Sequence, residues 1–231
     1  MVWAPTRWLR SSASSSIEPE TPLRDGAGLT VLAGPTAVGK GAVSAYLREH
    51  HPDVWISVSM TTRSPRRGEV DGMHYRFVDD ETFDATIASG GLLEWATVHS
   101  GARYGTPAAP VQAALAGSRL ALLEIDLQGA RQVRRVLPKA LFVFLAPPSW
   151  EELVRRLEGR GTETADQRRR RLATAVDELA AEPEFDVTVV NDDVGRAGDT
   201  LVGLMRSPRH RAATVQGSQS ADEQRDPLST L

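Results

Sequence analysis

The run Leu29-Thr30-Val31-Leu32-Ala33 is wholly strand-like. It breaks at once into Gly34-Pro35-Thr36-Ala37-Val38-Gly39-Lys40-Gly41, after which a helical pattern covers 40–50. Seven of these eight residues, Gly34 to Lys40, fit the first seven places of G-x-x-x-x-G-K-[ST], and few features constrain a fold as tightly. A buried strand must end in a tight turn of small residues whose backbone N–H groups converge on an anion. The helix that follows adds partial positive charge at its first turn. Gly34, Pro35, Thr36, Ala37, Val38, Gly39, Lys40 and Gly41 are therefore the candidate triphosphate cradle, with Lys40 reaching the β- and γ-phosphates as a point charge. Of 27 basic residues only Lys40 and Lys139 are lysine, so the loop holds one of two in an arginine-rich chain. Gly41 stands where Ser or Thr would offer Mg²⁺ a hydroxyl, and Ala42 does not replace it. The competing reading is a strand-to-helix turn that holds no ligand.

Further apolar runs occupy 120–125, 141–145 and 187–190, nearly without polar interruption. Such runs suit parallel strands covered on both faces. Helical patterns alternate with them, including Leu172, Val176 and Leu179 at i, i+4 and i+7 within 164–182. The pattern predicts an α/β domain, a P-loop-type core sheet of about five parallel strands. Residues 57–107, with short polar strands and turns, read as an inserted subdomain, and 150–172 as a helical lid. Residues 1–28 and 206–231 are polar and without periodicity, and are expected to be disordered tails. The first 17 residues share the Ser- and Arg-rich, acid-free composition of transit peptides, although a plain extension is the simpler reading.

The 231 residues fit one domain with inserts. Absence of cysteine removes disulfide and thiol chemistry, and no apolar run approaches membrane-spanning length. A net charge of −3 gives no ground for nucleic-acid binding. A cytoplasmic protein touching neither nucleic acid nor membrane is expected. His50, His51, His74, His99 and His210 have no metal-ligand spacing, and no Ser–His–Asp set stands out.

The stretch from Ser57 through Thr61-Thr62-Arg63-Ser64-Pro65-Arg66-Arg67-Gly68-Glu69, with Gly72 and Tyr75, closely resembles the guanylate kinase family. So do Leu93-Glu94-Trp95-Ala96, Tyr104-Gly105-Thr106-Pro107, Glu124-Ile125-Asp126-Leu127-Gln128-Gly129, Glu158-Gly159-Arg160-Gly161-Thr162-Glu163-Thr164 and Val190-Asn191-Asp192. Together they cover 29–205 in the family's order. The resemblance implies GMP as the acceptor, ATP with Mg²⁺ as the donor, and an insert that binds GMP. Physical chemistry agrees with that implication. Arg63 and Arg66 offer planar charged forks to a phosphate, with hydroxyls from Tyr75, Tyr104 and Ser59 in reach. Guanine shows N1–H and 2-amino donors to a carboxylate, where adenine has an unprotonated N1. By resemblance Glu94 is that carboxylate, supported by Thr106 and Asp126.

Asp126 follows the run 120–125, where open α/β sheets hold ligands. It could steady Mg²⁺ through water, touch guanine, or simply cap the next helix; no side chain is assigned as a direct metal ligand. Arg156, Arg160 and Arg171 match lid arginines that close on the transferring phosphoryl group, leaving Arg168, Arg169 and Arg170 to solvent. Asn191 is a candidate ATP contact. Two departures stand out: Gly41, which adenylate kinases share, and one extra residue between Glu94 and Tyr104, within His99-Ser100-Gly101-Ala102-Arg103. The rival readings are a catalytically inactive guanylate-kinase-like binding module and a P-loop kinase with another acceptor. Oligomeric state is not legible.

Overall fold

Alternation along the central strands accounts for the layered core. The computed structural model describes residues 26–98, 101–117, 119–158 and 165–207, without the side chains of 165–168, 170 and 171. Strands β1 (Leu29–Ala33), β2 (Val54–Ile56), β7 (Leu120–Glu124), β8 (Leu141–Ala146) and β9 (Val187–Val190) form a parallel sheet in the order β2-β7-β1-β8-β9. Successive side chains point to opposite faces, and both faces are covered. Leu29, Val31, Leu123, Phe142 and Phe144 pack under α3 (Ala108–Ala116) and α4 (Leu127–Val136). Leu32, Leu122, Val143 and Leu145 pack under α1 (Lys40–His50) and α7 (Val194–Arg206). Each fully buried Leu or Phe here contributes about 1.5–3 kcal/mol.

Three sequence expectations need correction. The helix at 164–182 is α6 (Ala165–Ala180), which packs on α5 (Trp150–Glu158), but Val176 is exposed. The face in contact uses Leu172, Ala175 and Leu179, and alanine carried no signal in the periodicity. Residues 26–28 form a turn in which Leu29 N–H bonds the Gly26 carbonyl, so they are not tail. At the other end α7 runs to Arg206, which pairs with Asp53 at 2.7 Å. Residues 1–25 and 208–231 lie outside the described set, as does any account of them as tails.

Between β2 and β7 the chain builds a second, mixed sheet. It contains β3 (Met60–Thr61), β4 (Arg76–Phe77), β5 (Leu92–Thr97) and β6 (Arg103–Pro107) in the order β4-β3-β6-β5, with α2 (Asp80–Ala88) beside it. Arg103 anchors α2 by stacking over Phe83 and pairing with Asp80 and Asp84. The β5 edge meets α4 through Gln132, whose side-chain oxygen accepts from Trp95 N–H and whose amide donates to the Trp95 carbonyl. Among the described residues no helix is long and apolar enough to cross a membrane.

Candidate active site

The loop after β1 has the geometry an anion cradle needs. Gly34 approaches Leu145 so closely that a Cβ would lie 2.3 Å from its carbonyl oxygen. Gly39, at φ 104, caps α1 without a side-chain bond, and no acid occupies the first turn. The helix therefore presents free N–H groups and uncompensated dipole charge to whatever sits in the loop. Lys40 Nζ donates to the carbonyls of Gly34 (2.7 Å) and Pro35 (3.2 Å). Burial pushes its pKa down, opposed first by the carboxylate of Glu178 and then by Glu124 and Asp126.

Asn191, almost fully buried, donates its amide to the Val38 carbonyl at 2.8 Å, while its Oδ1 has no hydrogen-bond partner. Arg156 reaches the same carbonyl at 2.9 Å, the Asn191 carbonyl at 3.1 Å and Glu152 at 2.7 Å. The expected lid arginine thus grips the loop backbone here. Arg160 lies outside the described residues, and Arg171 is described only as backbone within α6.

On the second sheet, β5 and β6 pair Glu94 with Thr106, whose hydroxyl donates to the Glu94 carboxylate at 2.6 Å. Glu94 is 5% exposed. Burial pushes its pKa up to about 7; the Thr106 bond pulls the other way, and the nearby Asp126 charge adds to the rise. A Cβ on Gly129 would lie 2.5 Å from Glu94 Oε2, so α4 leaves room for this carboxylate only by having a glycine there. Asp126 caps α4, accepting from Gly129 N–H at 2.8 Å. The cap leaves its other oxygen available, and Asp126 also lines the cavity described below.

Arg63 makes a two-pronged pair with Glu69 (2.6 and 2.7 Å), donates through Nε to Tyr104 Oη at 2.7 Å and stacks 4.9 Å from the Tyr75 ring centre. The guanidinium holds the Glu69 carboxyl down at about 2. Arg66 is exposed, and its backbone N–H also bonds Glu69. Between β5 and β6 the Val98 N–H bonds the Ala102 carbonyl, and residues 99 and 100 lie outside the described set. Tyr104 sits opposite Ala96 in register.

One cavity of about 320 Å³ joins the two sheets. Thr36, Ala37 and Lys40 line it from the loop, Ser59, Tyr75, Glu94 and Tyr104 from the second sheet, and Glu124 and Asp126 from the end of β7. Arg63, Arg66, Thr106, Arg156 and Asn191 stand outside its wall, as do Gly34, Pro35, Val38, Gly39 and Gly41. Sequence reasoning did not single out Glu124, Glu69, Gly129 or Glu178. The first three lie inside the quoted motifs, whereas Glu178 lies in a helix that periodicity treats as plain.

The donor set near Gly41 suits a hard cation that keeps its waters. A Cβ at Gly41 would meet only Glu124 Oε1, at 3.7 Å, and Asp126 lies on the same cavity wall. Among the described residues no cluster of three His, Asp or Glu could hold a metal unaided.

A family model described as guanylate kinase matches residues 27–207. The guanylate kinase of Leifsonia xyli subsp. xyli is 63% identical over 186 residues, covering 80% of this chain and 73% of that one. That of Thermobifida fusca is 57% identical over 193 residues, covering 81% and 98%. The crystal structure of guanylate kinase from Anaplasma phagocytophilum superposes with a TM-score of 0.64 at 31% identity, over 78% of this chain and 85% of the other.

Proposed function

Since the chain belongs to the guanylate kinase family, we propose that it transfers the γ-phosphoryl group of ATP to the phosphate of GMP, giving ADP and GDP. The observation that carries this reading is the shared cavity. A phosphate-loop lysine and a buried, hydroxyl-supported carboxylate line the same 320 Å³ space. A phosphoryl donor and a guanine acceptor could be held there together.

In this reading the phosphate-loop N–H groups and Lys40 hold the donor's phosphates, and no covalent enzyme intermediate forms. The GMP phosphate oxygen attacks the γ-phosphorus in line, and the protein contributes orientation and charge. Ser59, Tyr75 and Tyr104 steady the acceptor. Arg63, released in part from Glu69, and Arg66 turn toward its phosphate. Glu94, supported by Thr106, accepts from guanine N1–H and the 2-amino group; a base without those donors leaves the buried carboxylate with the Thr106 bond but no partner on the base, a penalty worth roughly 10⁴ or more in selectivity. Mg²⁺ bound with ATP would neutralise charge on the β- and γ-oxygens, and Glu124 and Asp126 would hold it through water. Arg156, Arg160 and Arg171 complete the charge balance as the lid closes, and Asn191 contacts ATP. A cytoplasmic location belongs to the same proposal.

The test is a coupled assay of ADP formation with GMP, AMP, CMP and UMP as acceptors. GMP should exceed the others by at least 10³ in kcat/KM. Comparable use of AMP would refute the base-reading assignment, and ATP binding without turnover on any acceptor would favour a binding module.

A further inference from the structure

The phosphate loop is held from behind by α5 and α6 at three consecutive residues. Thr36 N–H donates to Glu178 Oε2 at 2.7 Å, and its hydroxyl lies 3.4 Å from Oε1. Ala37 has φ 67, a left-handed conformation that costs a non-glycine residue about 1 kcal/mol or more. Its methyl packs in the small cluster of Leu153, Leu157 and Ala175. The Val38 carbonyl is gripped by Arg156 and Asn191. Strain of this kind persists only where the surroundings over-determine it, and here the surroundings are the lid helices.

Thr36 and Ala37 face the cavity, but Glu178 is not part of its wall. The carboxylate holds the loop at the Thr36 N–H and is near enough to Lys40 to oppose the lowering of its pKa. It projects from the last turn of α6, where Ala175 and Leu179 seat the helix on its neighbours. We propose that Glu178 is a positioning residue for the donor site: its bond to Thr36 N–H locks the left-handed turn at Ala37, and so aims the loop's N–H groups and Lys40 at the donor phosphates. The proposal rests on reading the loop as the ATP site. It assigns α6 a second task, tying the lid to the loop.

The experiment is calorimetric titration of wild type, Glu178→Ala and Glu178→Gln with Mg²⁺-ATP and, separately, with GMP, alongside initial-rate kinetics. Glu178→Ala should weaken ATP binding by about tenfold or more and lower kcat, as expected for a displaced contact. GMP binding, made on the other sheet, should change less than twofold. Glu178→Gln keeps an oxygen that accepts from Thr36 N–H and should recover most of the loss. Unchanged ATP binding in Glu178→Ala would overturn the proposal. So would tighter binding, because the carboxylate would then be competing with phosphate. Parallel loss of ATP and GMP binding would reduce Glu178 to a general stabiliser and overturn it as well. If wild type binds ATP but does not phosphorylate GMP, the functional reading fails while the ATP comparison still decides the role of Glu178.

Discussion

Glu94 makes the proposed base recognition dependent on pH in a way that can be calculated. Burial lifts its pKa to about 7, from an ordinary 4.5. Guanine offers donors at that edge, so the side chain must be ionised to accept from both. At pH 6 about one-tenth of the free protein carries the carboxylate, and at pH 8 about nine-tenths. The kcat/KM for GMP should therefore rise roughly ninefold between those values at saturating ATP. The GMP phosphate also titrates near pH 6, so the informative quantity is the ratio of wild type to Glu94→Gln at each pH, in which the substrate's own slope cancels.

Stability moves in the opposite sense. The folded protein holds this proton more tightly than the unfolded chain, so the contribution of Glu94 to stability is fully present below pH 4.5 and is lost as pH rises to about 7. A shift of about 2.5 units corresponds to about 3 kcal/mol, and the side chain is only 5% exposed. Glu94→Gln should therefore be poor with GMP yet more stable than wild type at pH 8, by up to about 3 kcal/mol in urea unfolding. A flat activity ratio from pH 6 to 8, together with a variant less stable than wild type at pH 8, would refute the reasoning.

Lys40→Ala should bring kcat below a hundredth of wild type, on the order of the loss of a charged transition-state contact, with a circular-dichroism spectrum unchanged; a tenth of wild-type kcat or more would move the chemistry elsewhere. Wild type should be active with Mg²⁺ despite Gly41, because water can fill the place of the missing hydroxyl. Gly41→Ser, whose Cβ meets only Glu124, should lower the Mg²⁺ concentration for half-maximal velocity by about tenfold or less. Wild type inactive at saturating Mg²⁺, with activity appearing in Gly41→Ser, would overturn the enzyme reading.

The phosphate loop and four of the five core strands were legible because both are local. Their signals are a run of apolar residues, or glycines at fixed spacing, within ten positions. The three-residue β2 was too short to be distinguished, although its burial against β7 is plain in space. Val176 misled because its spacing is helical while Ala175 supplies the contact. The partnerships within the site were not legible at all. Nothing local links Thr36 to Glu178, 142 residues away, or indicates that Gly129 is small to admit Glu94. Arg63 and Arg66 looked alike as charges, yet one is committed to Glu69 and stacked on Tyr75 while the other stands in solvent.

The contact between Gln132 and Trp95 has a consequence for the life of the protein in a crowded solution. β5 ends its sheet, and an end strand exposes unpaired N–H and carbonyl groups that can recruit a strand from another molecule. At Trp95 the Gln132 amide answers both groups as a neighbouring strand would, but it is attached to a helix and cannot extend the sheet. The same two bonds that fasten the insert to the core therefore blunt its edge, and they do so beside a tryptophan that is 40% exposed and would otherwise reward such pairing.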